Sequence, residues 1–195
     1  MTITNMKLKT SGLEQRNRVT TNGASSIILE LNRNNINGIT NGAGQGFGGL
    51  FLVQGSLRPT SSSNNVQLQY QLFASDNGSG TALTGGFALN PDSTTGFWRF
   101  ETDTFRMNYW TANSTDASQI NFMMDIDTWS RPNKYPSVNL QTVYKASFDS
   151  VICVDSAVTI RTGTTQSIES IKFFTSSGNL KGEVSATPVF SPYPI

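Results

Sequence analysis

The sequence predicts an all-β protein built as an antiparallel, jelly-roll-like β-sandwich with extended N- and C-terminal arms. About ten short runs of β-forming residues alternate with turn residues along the chain. No segment keeps a helical period for more than a turn or two. Only 14% of residues are charged, against roughly 25% in ordinary domains. Asn, Ser, Thr, Gln and Gly supply most of the polar content, which suits strands joined by turns.

The clearest strand spans residues 66–73, where apolar and amide side chains alternate. The apolar positions are Val66, Leu68, Tyr70 and Leu72. Glutamines lie between them, so one face is predicted to be buried and the other to be polar but uncharged. Further runs of β-forming residues cover 25–31, 50–58, 97–100, 105–110, 119–129, 140–148, 150–155, 158–161, 167–175 and 180–187.

The 195 residues suit one domain with a sizeable core. We predict an N-terminal arm over residues 1–24, the sandwich over 25–187 and a proline-rich C-terminal tail over 188–195. The segment 32–49 is rich in Asn and Gly, and a loop of that length is usually functional or lies at an interface.

The charge balance argues against nucleic acid as a partner. There are 14 basic and 13 acidic residues, for a net charge of +1, whereas nucleic-acid binding needs a basic face. The N-terminal arm is mildly basic and could touch nucleic acid or an acidic partner, although a solvated terminus is the simpler interpretation. No apolar stretch reaches the roughly 18 residues of a membrane span. The first residues lack the apolar core of a secretory signal, so synthesis in a cytoplasm is expected.

Catalytic and metal-binding residues are not expected. Histidine is absent, and Cys153 is the single cysteine, so a thiol nucleophile lacks its usual base and a buried thiol is predicted. Asp125 and Asp127 fall on the same side of a strand and could bind a hard cation such as Ca²⁺ or form a glycosidase pair. A solvated strand face is the favoured interpretation of this pair.

A glycine-rich segment matches a nucleotide-binding motif in sequence but lacks the strand and helix that the motif requires around it. Gly44-Gln45-Gly46-Phe47-Gly48-Gly49 fits G-x-G-x-x-G, but a strand rather than a helix follows it, so no cofactor is expected. These glycines are predicted to allow a tight turn or close contact with a neighbouring subunit.

An aromatic cluster could serve either the core or a ligand. Its members are Trp98, Phe100, Phe105, Tyr109 and Trp110. Core packing is the default in a β-sandwich. In the alternative, Trp98, Tyr109 and Trp110 are exposed and stack on a ligand.

Three segments resemble a family of small virion structural proteins of tailed bacteriophages. They are LFLVQGSLRPT at 50–60, MDID at 124–127 followed by KYPS at 134–137, and SIESIKFFTSSGNLKGEV at 167–184. The last looks like the family's C-terminal hairpin. The family usually ends in Leu-Tyr-Gly-Ile, whereas this chain continues with Ser185-Ala186-Thr187-Pro188 and a proline-rich tail.

The resemblance implies a jelly-roll-like sandwich on the outside of a phage particle. The leading expectation is a capsid decoration (cement) protein that binds the major capsid protein or other virion proteins as a homo-oligomer, with a trimer expected. The arm, the glycine-rich loop and the tail are its predicted reaching elements. The candidate interface residues are Lys7, Lys9, Arg16, Arg18, Gly44, Gly46, Phe47, Pro188, Phe190, Pro192 and Tyr193.

Two other structural roles stay open at this point. One is a tail-fibre or baseplate-associated receptor-binding module that recognises surface glycans through the aromatic cluster. The other is a self-assembling jelly-roll coat protein, although a shell around a genome needs more positive charge. An enzyme ranks last, because no acid–base constellation is present.

Overall fold

In the computed structural model the described residues form strands and no helix. The structure describes residues 4–9, 15–31, 50–60, 66–74, 78–90, 97–108, 119–128, 135–145, 151–160 and 168–189. The strands are β1 Thr4–Lys9, β2 Gln15–Ala24, β3 Ser26–Glu30, β4 Leu50–Pro59, β5 Leu68–Phe73, β6 Gly85–Asn90, β7 Phe97–Thr102, β8 Phe105–Arg106, β9 Ile120–Asp127, β10 Ser137–Lys145, β11 Val151–Ile160, β12 Ser170–Thr175 and β13 Leu180–Pro188.

The strands pair in two antiparallel sheets, which confirms the predicted all-β class. The large sheet has nine strands in the order β1-β2-β13-β4-β9-β10-β11-β6-β7, and the small sheet has four in the order β3-β12-β5-β8. The predicted alternation along β5 is confirmed, since Leu68, Tyr70 and Leu72 are fully buried while the intervening glutamines are half-buried.

The apolar faces of the two sheets share one core. Phe122 of β9 contacts Phe173 of β12 with ring centroids 5.3 Å apart. Within the small sheet, Tyr70 lies 5.2 Å from Phe105 between ring centroids. Burying an aliphatic or aromatic side chain of this kind contributes about 1.5–3 kcal/mol. The architecture is therefore sandwich-like, with an inner apolar surface on each sheet.

The chain passes from the large sheet to the small one at a sharp corner between β2 and β3. Gly23 has a φ of +109°, which only glycine adopts readily, and β13 pairs with Ala24 and Asn22 but skips Gly23. This bulge lets Ser26 enter the small sheet. The Thr21 hydroxyl accepts a hydrogen bond from the Ala24 amide at 3.0 Å and so holds the corner.

A second crossing joins β12 to β13. Residues 176–179 connect them, yet β12 pairs with β3 and β5 while β13 pairs with β2 and β4. The two strands therefore do not pair with each other as the expected C-terminal hairpin would. The carbonyl of Asn179 accepts hydrogen bonds from the amide and the hydroxyl of Thr60, at 2.8 and 3.1 Å, which fixes the turn against the end of β4.

The expected N-terminal arm over residues 1–24 is not confirmed. Its described parts are β1 and β2, and β2 pairs along its length with β13, with Val19 and Ala24 buried. Main-chain hydrogen bonds hold β2 in the sheet although most of its side chains are polar. The polar composition had predicted an arm instead. Pro188, expected to begin the tail, is the last residue of β13 and pairs with Phe51. Residues 190–195 lie outside the described part of the chain.

Two buried polar side chains in the core differ in whether they are hydrogen-bonded. Asn108 accepts a hydrogen bond from the Leu68 amide at 2.8 Å and donates one to the Val66 carbonyl at 3.3 Å. The Tyr70 hydroxyl, fully buried, makes no hydrogen bond to any described residue. Burial raises the pKa of the Tyr70 phenol well above its usual range, so the hydroxyl stays protonated.

We therefore expect opposite effects from two substitutions in this core. Tyr70→Phe removes an unpaired buried hydroxyl and should raise the free energy of unfolding by about 1 kcal/mol. Asn108→Ala leaves an amide and a carbonyl unpaired and should lower it by about 2–4 kcal/mol. Urea denaturation of both variants measures this. A loss of stability in Tyr70→Phe comparable to that in Asn108→Ala would contradict the assignment.

Gly55 of β4 lies where a side chain would strike the core. A Cβ atom there would approach the Phe122 ring to 2.3 Å and Val184 to 2.8 Å. Gly86 is the matched control, because a Cβ on it would meet nothing within 4 Å.

Gly55→Ala should therefore lower the free energy of unfolding by about 1–3 kcal/mol. Gly86→Ala should change it by less than about 1 kcal/mol. Thermal and urea unfolding of the two variants provide the measurement. Equal losses in both would mean that Gly55 does not face the core.

Candidate functional site

The outer face of the large sheet carries the candidate site. On its central strands β13, β4, β9 and β10, alternate residues point away from the core. The registers align their side chains in two neighbouring cross-strand rows. The first row is Glu183, Ser56, Asn121 and Val143, and the second is Ser185, Gln54, Met123 and Gln141.

A depression of about 480 Å³ lies between these rows. All eight side chains line it, together with Gly55 and Phe122. Ser56 and Ser185 are short, and they alternate with longer side chains in each row. Each strand belongs to the interior of the sheet and is paired on both sides, so the walls are held by complete hydrogen-bond ladders.

The depression is electrically balanced. Glu183 is the only charged residue among the described residues that line it, and it forms an ion pair with Arg18 of β2. Their side chains are 49% and 38% exposed, so the pair contributes less than about 1 kcal/mol to stability. Its effect is to cancel the negative charge at the edge of the site.

Hydrogen bonds organise one side of the depression. The Ser56 hydroxyl accepts a hydrogen bond from the side-chain amide Nε2 of Gln119 and donates one to the side-chain oxygen Oδ1 of Asn121 at 2.7 Å. On the other side, Gln54, Gln141 and Ser185 make no side-chain hydrogen bond to the described residues. The site therefore presents several amide and hydroxyl groups that water or a ligand can use.

Exposed apolar side chains continue across this face. Met123 and Val143 line the depression and are 38% and 44% exposed. Leu50 and Val189 are exposed at one end of the face, where the Val189 amide donates a hydrogen bond to the Leu50 carbonyl at 2.8 Å. Leu50 and Val189, which begin and end described segments, thus lie side by side on the sheet.

The structure describes only some of the predicted interface residues. Arg18 lies beside Glu183 on the outer face. Lys7 and Lys9 fall on edge strand β1 and Arg16 on β2, and only their main chain is described. Pro188 ends β13 with its side chain likewise undescribed. The remaining candidates, Gly44, Gly46, Phe47, Phe190, Pro192 and Tyr193, lie outside the described residues.

The predicted aromatic site is also covered only in part. Phe105 is fully buried against Tyr70, so this member belongs to the core. Trp98 lies in β7, but its side chain is not described, and Tyr109 and Trp110 lie outside the described residues. Stacking of Trp98, Tyr109 and Trp110 on a ligand therefore stays a prediction.

Asp125 and Asp127 both lie on β9, on the outer face. Within the described residues no three or more His, Cys, Asp or Glu side chains come together as metal ligands would. Cys153 lies in β11 opposite Val143, with its side chain undescribed.

The sequence interpretation missed the depression itself. Its polar residues come from four strands that are far apart in sequence, so no single motif marks them. The alternation in residues 50–58 and 119–127 could have identified which side chains face outward. The register that brings Gln54 beside Met123 and Gln141 is visible only in the structure.

The comparisons with known proteins found no relative of this chain. No protein-family model matches the chain, and neither the curated proteins nor the solved structures yield a match. The described residues also contain no helix that could span a membrane. The resemblance to phage virion proteins consequently stays a prediction.

Two adjacent methionines of β9 should respond very differently to truncation. Met124 is fully buried in the shared core, whereas Met123 is exposed on the outer face. Met124→Ala should lower the free energy of unfolding by about 2–5 kcal/mol, and Met123→Ala should change it by less than about 0.5 kcal/mol. Chemical denaturation of the pair measures the difference, and a reversed order would show that the faces are assigned the wrong way round.

Proposed function

We propose that the protein is a viral structural protein, a capsid decoration (cement) protein that binds a phage head lattice as a homo-oligomer. The observation that carries the proposal is the outer face of the large sheet. Around the depression its central strands present amides, hydroxyls and scattered apolar side chains with one ion pair. Two basic side chains lie on one side of the depression and two acidic ones on the other, namely Arg58 with Lys181 and Asp125 with Asp127. Such a surface is suited to packing against another protein.

The chemistry of this face resembles that of protein interfaces. Interface cores are depleted in charge, enriched in Met and aromatic residues, and crossed by about one hydrogen bond per 100–200 Å². Met123 and Val143 supply exposed apolar area, and Gln54 and Gln141 supply hydrogen-bonding groups beside it. Because little net charge is involved, the contact should persist at high salt.

We also propose a jelly-roll-like arrangement of the two sheets. The repeated passage of the chain between the sheets, at the β2–β3 corner and again between β12 and β13, supports it. A self-assembling coat protein could share that arrangement, but the net charge of +1 offers little to neutralise a genome.

Stabilisation of the head would follow from mass action. A protein that binds the assembled lattice and not its separated subunits shifts the equilibrium toward the lattice. Leu50 follows segment 32–49 and Val189 precedes segment 190–195, and these two residues lie side by side. Contacts from these segments to neighbouring capsid subunits would add to those of the outer face.

Cryo-electron microscopy of the virus particles that carry this chain tests the proposal. Regular copies over the whole head, with the outer face of the large sheet against capsid protein or against a second copy, are expected. Density only at the tail or its fibres would overturn the head role and favour glycan recognition at Trp98, Tyr109 and Trp110. Absence from the particle would overturn a structural role altogether.

A reconstitution experiment tests which surface makes the contact. Purified heads lacking the protein are incubated with the double variant Met123→Glu/Val143→Glu, which places two charges in the interface. We expect at least a tenfold loss of head occupancy, measured by co-sedimentation. Ala74→Glu is the control, because Ala74 is exposed beyond the end of β5 in the small sheet, and its occupancy should match that of the unmodified protein. Equal binding by both variants would exclude the outer face of the large sheet.

A further inference from the structure

We infer that the depression on the outer face of the large sheet is a binding site for an uncharged carbohydrate. The inference goes beyond the structural role proposed above and concerns the free protein, because capsid protein on the same outer face would cover the depression. It also concerns a different place from the aromatic cluster at Trp98, Tyr109 and Trp110. Size, polar groups, charge balance and apolar surface at the depression each point to this class of ligand.

The size and rigidity of the depression suit a small ligand. Its volume of about 480 Å³ lies within the range of roughly 300–1,000 Å³ usual for small-molecule sites, and it is open to solvent, so a ligand would rest on the sheet rather than be enclosed. The lining side chains come from β13, β4, β9 and β10, which are neighbouring strands of one sheet. Adjacent strands lie about 4.8 Å apart, so the main chain fixes where each polar side chain begins, and a hydrogen bond between Ser56 and Asn121 orders those two further.

The polar groups match the hydrogen bonding of sugar hydroxyls. A hydroxyl both donates and accepts, and a carboxamide offers two donors and an acceptor. Gln54 and Gln141 make no side-chain hydrogen bond within the described part of the chain. The Ser56 hydroxyl donates to the Asn121 carbonyl oxygen at 2.7 Å, which orients that amide and leaves its N–H donors for a ligand.

The charge balance selects for a neutral ligand. Glu183 is the one charged residue among those described as lining the depression, and Arg18 neutralises it. A phosphate or a carboxylate ligand would need unpaired basic groups for charge-assisted hydrogen bonds. The Arg18 guanidinium is engaged with Glu183, so the depression holds no such group among its described residues. The carboxylate oxygens of Glu183 remain able to accept hydrogen bonds from hydroxyls.

Apolar side chains lie next to the amides. Met123 and Val143 are 38% and 44% exposed and line the same depression. A sugar ring has a rim of hydroxyls and a face of C–H groups, and it can bury that face on apolar side chains while its rim binds amides. Covering Met123 and Val143 removes apolar area from water, which favours binding.

Titration with neutral oligosaccharides tests the inference. The probes are tri- to hexasaccharides of glucose, galactose, mannose, rhamnose and N-acetylhexosamines, followed by calorimetry and by amide chemical shifts. We expect at least one probe to bind with millimolar or tighter affinity, worth about 4 kcal/mol or more. Its binding should shift amide signals on β4, β9 and β10 and should not depend on salt.

Two substitutions in the lining test whether the ligand binds at the depression. Asn121→Ala and Gln141→Ala should each weaken binding at least tenfold. Asn139→Ala is the matched control, because Asn139 is exposed on the same face of β10, lies opposite Asp125 and does not line the depression. Its affinity should equal that of the unmodified protein. Unfolding of all three variants is measured alongside, and these exposed positions should keep the stability within about 0.5 kcal/mol.

Three results would overturn the inference. The first is no binding of any probe by the folded protein. The second is binding that Asn121→Ala and Gln141→Ala leave unchanged. The third is absence of glycan binding together with self-association that Asn121→Ala abolishes, measured by sedimentation, which would assign the depression to a contact between copies. None of these results would decide whether the protein decorates a head, which the microscopy tests separately.

Discussion

The aromatic contact between Phe122 and Phe173 packs the two sheets against each other. Phe122 lies on a central strand of the large sheet and Phe173 on a central strand of the small one, with 5.3 Å between ring centroids. Gly55 makes the contact possible, because any side chain there would occupy the space of the Phe122 ring. Around this contact the inner positions of both sheets bury their apolar side chains, and burial of that surface is the main source of stability.

The inward-facing residues hold the core, and the outward-facing residues of the same strands are available for binding. Side chains on one strand alternate between faces, so the residues that hold the core also fix the position of their outward neighbours. Met124 anchors β9 in the core while Met123 stands beside Gln141 on the outside. A surface supported in this way positions short polar side chains such as Ser56 and Asn121 at defined places on the sheet.

The sequence predicted those features that depend on local pattern. The all-β class and the sidedness of β5 followed from alternation and turn residues. The pairing of strands did not, because β2 is polar and is held as a strand by its ladders with β1 and β13. β6 was missed because Gly85 and Gly86 at its start indicate a turn, although Gly85 packs directly on the main chain of β11. The depression depends on register between distant segments, so no local pattern could reveal Gln54, Asn121 and Gln141 as neighbours.

The position of β13 has a consequence for how the chain is made. In the described sheet, β13 alone links β2 to β4, and Arg18 meets Glu183 across 165 residues of sequence. Before β13 has been synthesised, β1 and β2 can pair with each other but cannot join β4, and the facing edges of β2 and β4 stay open to pairing with other chains. Contacts over such separations also form slowly. We therefore expect the nascent chain to need protection from aggregation until β13 has been synthesised.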